Sequence, residues 1–311
     1  MVAVTAVLAY GVMNREWVVD YFRGQTYQPS SEMAKIRDSL NLTDRGTFLF
    51  NASQPALSER SEFNAQCRDG QTEIAVLGCY TGGYIYVYNI VDDELSGIRE
   101  LTTAHELLHA VFSRMSEEDK NNLRPLLDKV YWDNQPALEG DLNTYTENER
   151  FEELYVRAGT EIANLPEELE KHYSEIFKNQ DAVVAYYNKY NSTFRQLETE
   201  MSALKNEMNA IGATIDAKTA EYESRADQLD ASIVSFNSCA DVAGCFKSEE
   251  EFYADRNALL AEQQSLLLLY DEINSLINQY NVKVNQYNAD VTHGEELNTK
   301  INSSIKPQEV K

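Results

Sequence analysis

The strongest periodicity in the chain lies in its last third. Leu197, Met201, Leu204, Met208, Ile211, Ile215, Tyr222, Leu229, Ile233 and Phe236 recur in steps of four and three, or in whole heptads. Phe252, Leu259, Leu266, Tyr270, Ile273, Ile277, Tyr280, Val284 and Tyr287 repeat the pattern. Between the two runs lies a short loop bounded by Cys239 and Cys245, and Ser248 with Glu251 has the spacing of a capping box that opens the second run. Two heptad arms joined by so short a loop predict an antiparallel coiled-coil hairpin over residues 183–290. Arms of about 40–50 residues extend roughly 60–75 Å. The apolar stripe is read as the seam between the arms, and the hairpin as a regulatory or partner-binding module. Residues 291–311 read as a polar tail.

Upstream, over residues 20–182, short extended and helical signals alternate. Ser30-Ser31-Glu32 caps a short helix through Leu40, and Gly46 to Phe50 reads as a strand. Glu73 to Leu77 reads as a second strand, ending at Gly78-Cys79. After the Gly82-Gly83 turn, Tyr84 to Ile90 is rich in β-branched and aromatic residues and reads as a third. Leu101, Ala104, Leu108, Val111 and Phe112 then mark a helix, with Thr102 and Thr103 as its caps. A helix from Ser116 to about Tyr131 stops at Asn134-Gln135-Pro136. An acidic helix follows from Glu147, with Phe151, Leu154, Tyr155 and Ala158 on one side, and Gly159-Thr160 loosens or ends it. Pro166 opens a last helix, Glu167 to Phe177. The expected fold is α+β: a small domain of sheet plus helices, then the helical hairpin.

The chain has 311 residues, enough for a packed core and two domains, and a net charge of −24. So acidic a surface repels phosphate backbones, which argues against nucleic acid as a partner. The cysteines form two local pairs, Cys67 with Cys79 and Cys239 with Cys245, and none lies in a C-x-x-C pattern. Even number and local pairing predict two disulfides and an oxidising, extracytoplasmic compartment. Met1 to Met13 carries no charge but is shorter than the roughly 20 residues that span a bilayer. Residues 1–19 are read as the outer part of a truncated membrane anchor or signal segment.

One stretch names a chemistry: His105-Glu106-Leu107-Leu108-His109. Histidines four apart on a helix share a face, so two imidazole nitrogens can take one Zn²⁺ at about 2.0–2.1 Å. Glu106 between them is then placed to act as general base toward a water molecule. A catalytic zinc site needs a third protein ligand and an open position. Phe112 and Met115 stand where a third histidine at short spacing would fall, and no cysteine is suitably placed. The later helix supplies Glu147, Glu149, Glu152 and Glu153.

At this point the chain resembles the gluzincin metallopeptidases, which carry H-E-x-x-H on one helix and a glutamate ligand on the next. Residues 152–160, Glu152-Glu153-Leu154-Tyr155-Val156-Arg157-Ala158-Gly159-Thr160, are similar to the second segment of the thermolysin branch, with a glycine about two turns after the glutamate. The resemblance covers residues 80–165 and implies Glu153 as the third ligand, with Glu147, Glu149 and Glu152 as alternatives. It departs at Arg157, where thermolysin-like enzymes carry an aspartate, so the outer partner of a histidine is left unassigned. The order Gly78-Cys79-Tyr80, H-E-x-x-H and Gly159-Thr160-Glu161 before Leu165-Pro166 also resembles a group of bacterial membrane-anchored proteins that implies no substrate. Tyr155, His172 and Tyr173 are candidates for polarising a scissile carbonyl. The expected function is hydrolysis of a peptide or protein by a zincin-like domain, with Tyr84 to Ile90 as the sheet edge that pairs with extended substrate. The competing expectation is a non-enzymatic extracytoplasmic interaction protein that binds a partner through the hairpin and keeps the zincin-like fold as scaffold.

Overall fold

The computed structural model describes residues 15–67, 77–143 and 145–303. Among these the chain is mostly helical, with a small three-stranded sheet and a long helix pair. It divides into two compact units, one of residues 1–195 with 296–311, the other of residues 196–295.

The first unit begins with α1 (Arg15–Thr26), α2 (Ser31–Ser39) and α3 (Asp44–Ser53). It continues through β1 (Ala56–Ser58), α4 (Arg60–Gln66), β2 (Gly78–Thr81) and β3 (Tyr84–Tyr88). Helices α5 (Ile98–Ser113), α6 (Glu117–Asp133), α7 (Gln135–Leu142), α8 (Glu147–Glu161) and α9 (Glu167–Tyr173) complete it. The start of α10 (Gln180–Ala240) and the end of α11 (Glu249–Ile301) also belong to this unit. Phe50, Ile85, Val87, Leu107, Leu108, Tyr155 and Tyr173 meet in its core.

Ser30 and Ser116 cap α2 and α6 through their hydroxyls, as their sequence context predicts. Gly46 to Phe50, expected as a strand, is helical instead. The Thr43 hydroxyl accepts from the Gly46 N–H at 3.0 Å, and this cap commits the segment to α3. A side chain at Gly46 would also meet the Ile176 carbonyl, since a Cβ there would lie 2.2 Å from that oxygen. The strand expected at Glu73 to Leu77 lies, except for Leu77, outside the described residues.

β3 pairs with β1 in parallel and with β2 antiparallel, giving the order β1-β3-β2. Tyr84 to Tyr88 is therefore the central strand and cannot be the edge that receives a substrate. Among the described residues the edges of the sheet are β1 and β2. Tyr88 N–H donates to the Leu77 carbonyl at 2.8 Å, so the bonded pairs fall at 77, 79 and 81. By antiparallel alternation Gly78 and Tyr80 turn their backbone groups away from β3. A disulfide joins Cys67, at the end of α4, to Cys79 in β2.

The boundary expected at 183 moves to 196. Val183 and Val184 are buried in the first unit, and Thr193 Oγ1 donates to the Glu94 carbonyl at 2.8 Å. The tail expected from 291 is also revised. α11 runs to Ile301, Leu297 is buried, Lys300 pairs with Asp92 at 2.7 Å, and Asn64 donates to the Ser303 carbonyl at 2.7 Å.

In the second unit the two arms run antiparallel. Arg225–Glu262 (2.8 Å), Lys218–Glu272 (2.9 Å) and Lys283–Glu207 (2.7 Å) bridge them. The rings of Phe236, Phe246 and Phe252 cluster near the second disulfide, Cys239–Cys245. Leu229, Leu266, Leu269 and Ile273 are its buried seam. Tyr270 and Ile277, expected in the seam, are 51% and 39% exposed. Two helices bury only a narrow stripe, and beside Tyr270 it is Leu269 that takes the inward place.

Among the described residues no helix is long and apolar enough to cross a membrane. Most of the N-terminal segment read as an anchor, residues 1–14, lies outside them. The two disulfides fit an oxidising, extracytoplasmic setting.

Candidate metal centre

α5 starts at Ile98, earlier than its threonines suggest. Gly97 precedes it in the left-handed region (φ 97°), a conformation that costs glycine little. Thr102 and Thr103 lie inside the helix, and Thr103 donates to the Arg99 carbonyl at 2.7 Å. Leu107, Leu108 and Ala104 are wholly buried, while the His105 and His109 side chains keep 19% and 20% of their surface exposed. Between Leu101 and Phe112 the two histidines are the positions of the helix that are not buried.

α8 packs against α5 with little between them. A Cβ at Gly159 would stand 2.5 Å from Leu108 Cδ1 and 2.6 Å from Tyr173 Cε1. The missing side chain lets the helices close, and the approach delivers Glu153 to the histidines. His105 Nε2 and His109 Nε2 are 3.3 Å apart. Glu153 Oε1 lies 3.7 Å from His105 Nε2, and Glu153 Oε2 lies 3.4 Å from His109 Nε2. His105, His109 and Glu153 each offer a donor atom within 4.8 Å of the others, a group able to hold a metal ion.

The other glutamates of α8 are placed differently. The Glu149 carboxylate accepts from the Thr146 N–H at 3.1 Å and its hydroxyl at 2.6 Å, which occupies it at the helix cap. Glu147 is an exposed residue of the first turn. Glu152 Oε1 lies 2.8 Å from His109 Nδ1, on the ring nitrogen away from Glu153. It is a carboxylate partner to a histidine of the pair, a place for which the sequence suggested no residue. In sequence Glu152 stood only as an alternative ligand, and its adjacency to Glu153 was the one available signal. Arg157 itself is buried and pairs with Glu161 at 3.0 Å.

Charge within the cluster is finely set. Burial pulls His105 down to about 4, so its ring is neutral at pH 7. Burial also works against a charge on His109, but its bonds to Glu152 and Glu153 raise it well above the usual imidazole range. Burial would keep Glu153 protonated, yet His105, His109 and Arg157 together hold it at about 2.

Glu106 is buried and faces β2. A Cβ at Gly78 would fall 2.7 Å from Glu106 Cγ and Oε1 and 2.6 Å from Thr102 Cγ2. Gly78 therefore lets β2 lie directly against Glu106. The sequence marked Gly78 as the end of a strand and as part of the Gly78-Cys79-Tyr80 order, with no contact to Glu106 in view.

Comparison of the chain with protein-family models, with curated proteins and with solved structures finds no match. The site's reading rests on its geometry.

Tyr155, His172 and Tyr173 form a separate cluster. Tyr155 OH lies 3.0 Å from His172 Nε2, and Tyr173 OH donates to the Tyr155 carbonyl at 2.6 Å. Both tyrosines are fully buried, and burial pushes both phenols far up. Two residues along α8 is about 200° around the helix, so Tyr155 points away from Glu153. Burial lowers His172 as well, and the charges it feels are Glu175, Arg45 and Asp119.

Proposed function

We propose that this chain is a zinc-dependent metallopeptidase with a zincin-like catalytic unit. One observation carries the reading: the spacing of the three donors. Four ligands about 2.0–2.1 Å from a tetrahedral centre stand about 3.3–3.4 Å from one another. Here the two histidine nitrogens lie 3.3 Å apart, Glu153 Oε2 lies 3.4 Å from His109 Nε2, and the other carboxylate oxygen, Oε1, lies 3.7 Å from His105 Nε2. A neutral His105, an ionised Glu153 and a His109 oriented by Glu152 suit zinc's preference for nitrogen and carboxylate oxygen. Bound there, zinc would supply the positive charge that makes water nucleophilic at neutral pH.

The chain's own residues would do the rest. An extended peptide laid along β2 would bond to the outward backbone groups of Gly78 and Tyr80, which sets its carbonyl beside Glu106. Glu106 would take a proton from the attacking water as the new C–O bond forms. It would return that proton to the departing amine nitrogen as the C–N bond breaks. The partly exposed histidines mark the side from which water and substrate enter.

The test is a metal analysis of the purified full chain beside hydrolysis of a peptide library. The expected result is one zinc per chain and hydrolysis that Glu106→Gln abolishes while zinc is retained. Full zinc stoichiometry in both His105→Ala and His109→Ala, or a Glu106→Gln variant that cleaves at the parent rate, would overturn the reading.

A further inference from the structure

α1 is an amphipathic helix turned the wrong way for a soluble surface. Two of its charged residues, Asp20 and Arg23, face the protein. Asp20 is 7% exposed and takes the Arg114 guanidinium in a two-pronged pair, at 2.7 and 2.9 Å, which fastens α1 to the end of α5. Arg23 reaches the Gly83 and Gly82 carbonyls at 3.3 and 3.4 Å and lies over the Tyr84 ring. Gly24 rests against Asn51 and Ala52 of α3. The opposite face carries Trp17, Tyr21 and Phe22, which are 54%, 43% and 64% exposed. At 100° per residue, Trp17, Tyr21 and Phe22 fall within one outward arc, and the Trp17 and Tyr21 rings stack.

Water is a poor partner for three aromatic rings on three turns of helix. Trp and Tyr are at home where a bilayer meets water, with the ring in the apolar layer and the polar atom at the headgroups. The sequence just before α1 is apolar as well. Met1 to Asn14 contains no charged side chain and supplies four valines, a leucine and two methionines. A chain with a net charge of −24 is not drawn to an anionic surface by charge, so contact with lipid must come from apolar burial.

We infer that the Trp17–Tyr21–Phe22 face of α1 is a lipid-docking surface, inserted into the interfacial layer of a bilayer. The inference stands on this face and is independent of the peptidase reading. Asp20–Arg114 then holds the first unit against the membrane by the end of α5, the helix that carries His105 and His109.

Phosphatidylcholine vesicles and the full chain test it. In a Trp132→Phe background Trp17 is the one remaining tryptophan, so its fluorescence reports on α1 alone. On adding vesicles, Trp17 emission should shift to the blue and be quenched by bromine-labelled acyl chains. Phe22→Ser should weaken vesicle binding about tenfold, and Trp17→Ser with Tyr21→Ser and Phe22→Ser about a hundredfold or more, because each ring loses its apolar burial. These side chains are exposed, so the variants should melt with the parent. A triple variant that binds like the parent would mean that residues 1–14 alone meet the lipid, and would overturn the inference. So would an unshifted Trp17, or a parent that ignores vesicles and forms a dimer the triple variant cannot form.

Discussion

Glu152 and Glu153 are neighbours that do different work, and the difference is one of helical angle. A step of 100° on α8 moves the carboxylate from His109 Nε2 to His109 Nδ1. Glu152 accepts the Nδ1 proton and so fixes which nitrogen of His109 points at the other donors. Glu152→Gln should weaken zinc affinity by about 10–100-fold with the fold intact, measured by competition with a chelator. An unchanged affinity would mean that Glu152 is a surface partner and nothing more. Gly78 makes a second test. Gly78→Ala forces a Cβ within 2.7 Å of Glu106, so Glu106 must turn. The outcome expected is intact zinc content with peptide hydrolysis reduced at least tenfold, since a small misplacement of a catalytic group is costly. His172 offers a pH readout apart from the metal. Burial lowers its pKa below the ordinary 6.5, so the unfolded chain binds the proton more tightly than the native one. That contribution to stability is whole above about pH 6.5 and is lost as pH falls below it. Urea midpoints of the parent should drop through this window, and His172→Gln should flatten the drop.

At the scale of the element, α5 and α8 are two helices whose spacing is the site. Leu108 and Tyr173 close on the bare Cα of Gly159. Gly159→Ala should cost about 1–3 kcal/mol by overpacking and should weaken zinc as well, because moving α8 outward draws Glu153 from both histidines. Thermal melts and metal titration read the two effects. The sequence made α5 and the histidine pair legible, because their signal is local: a four-residue spacing and an apolar stripe. It left Glu153 open among four glutamates, since the choice depends on how α8 turns against α5. Gly46 to Phe50 was misread because two aromatics and a leucine look like a strand, while the deciding bond runs from the Thr43 hydroxyl. β3 was legible as a strand but not as the central one, since strand order is set by long-range pairing. The outward face of α1 was not legible at all. Its pattern is amphipathic, and sequence cannot tell which half of such a pattern is covered.

At the scale of the whole molecule, a helical hairpin interrupts the first unit, which draws on residues before 196 and after 295. The heptads announced the hairpin, but not where it is rooted, because the same stripe continues into residues that pack elsewhere. Val183, Val184, Leu297 and Ile301 are core of the first unit, although they lie on the helices that form the hairpin. A cut at 182 would therefore strip the first unit of buried side chains from both chain segments. Loss of several such residues at roughly 1.5–3 kcal/mol each is comparable with the stability of an ordinary domain. A fragment of residues 1–182 should express poorly and hold zinc weakly. A chain in which a short Gly/Ser linker replaces residues 196–295 keeps 180–195 and 296–303, and should fold and hold one zinc. Residues 196–295 alone should form a helical monomer, since they carry their own seam at Leu229, Leu266, Leu269 and Ile273, three ion pairs between arms and the Cys239–Cys245 disulfide. Circular dichroism and zinc analysis on the three fragments decide the matter. A 1–182 fragment as stable and as zinc-loaded as the linker variant would mean that the hairpin's roots add nothing to the first unit, and that the boundary expected at 183 stands.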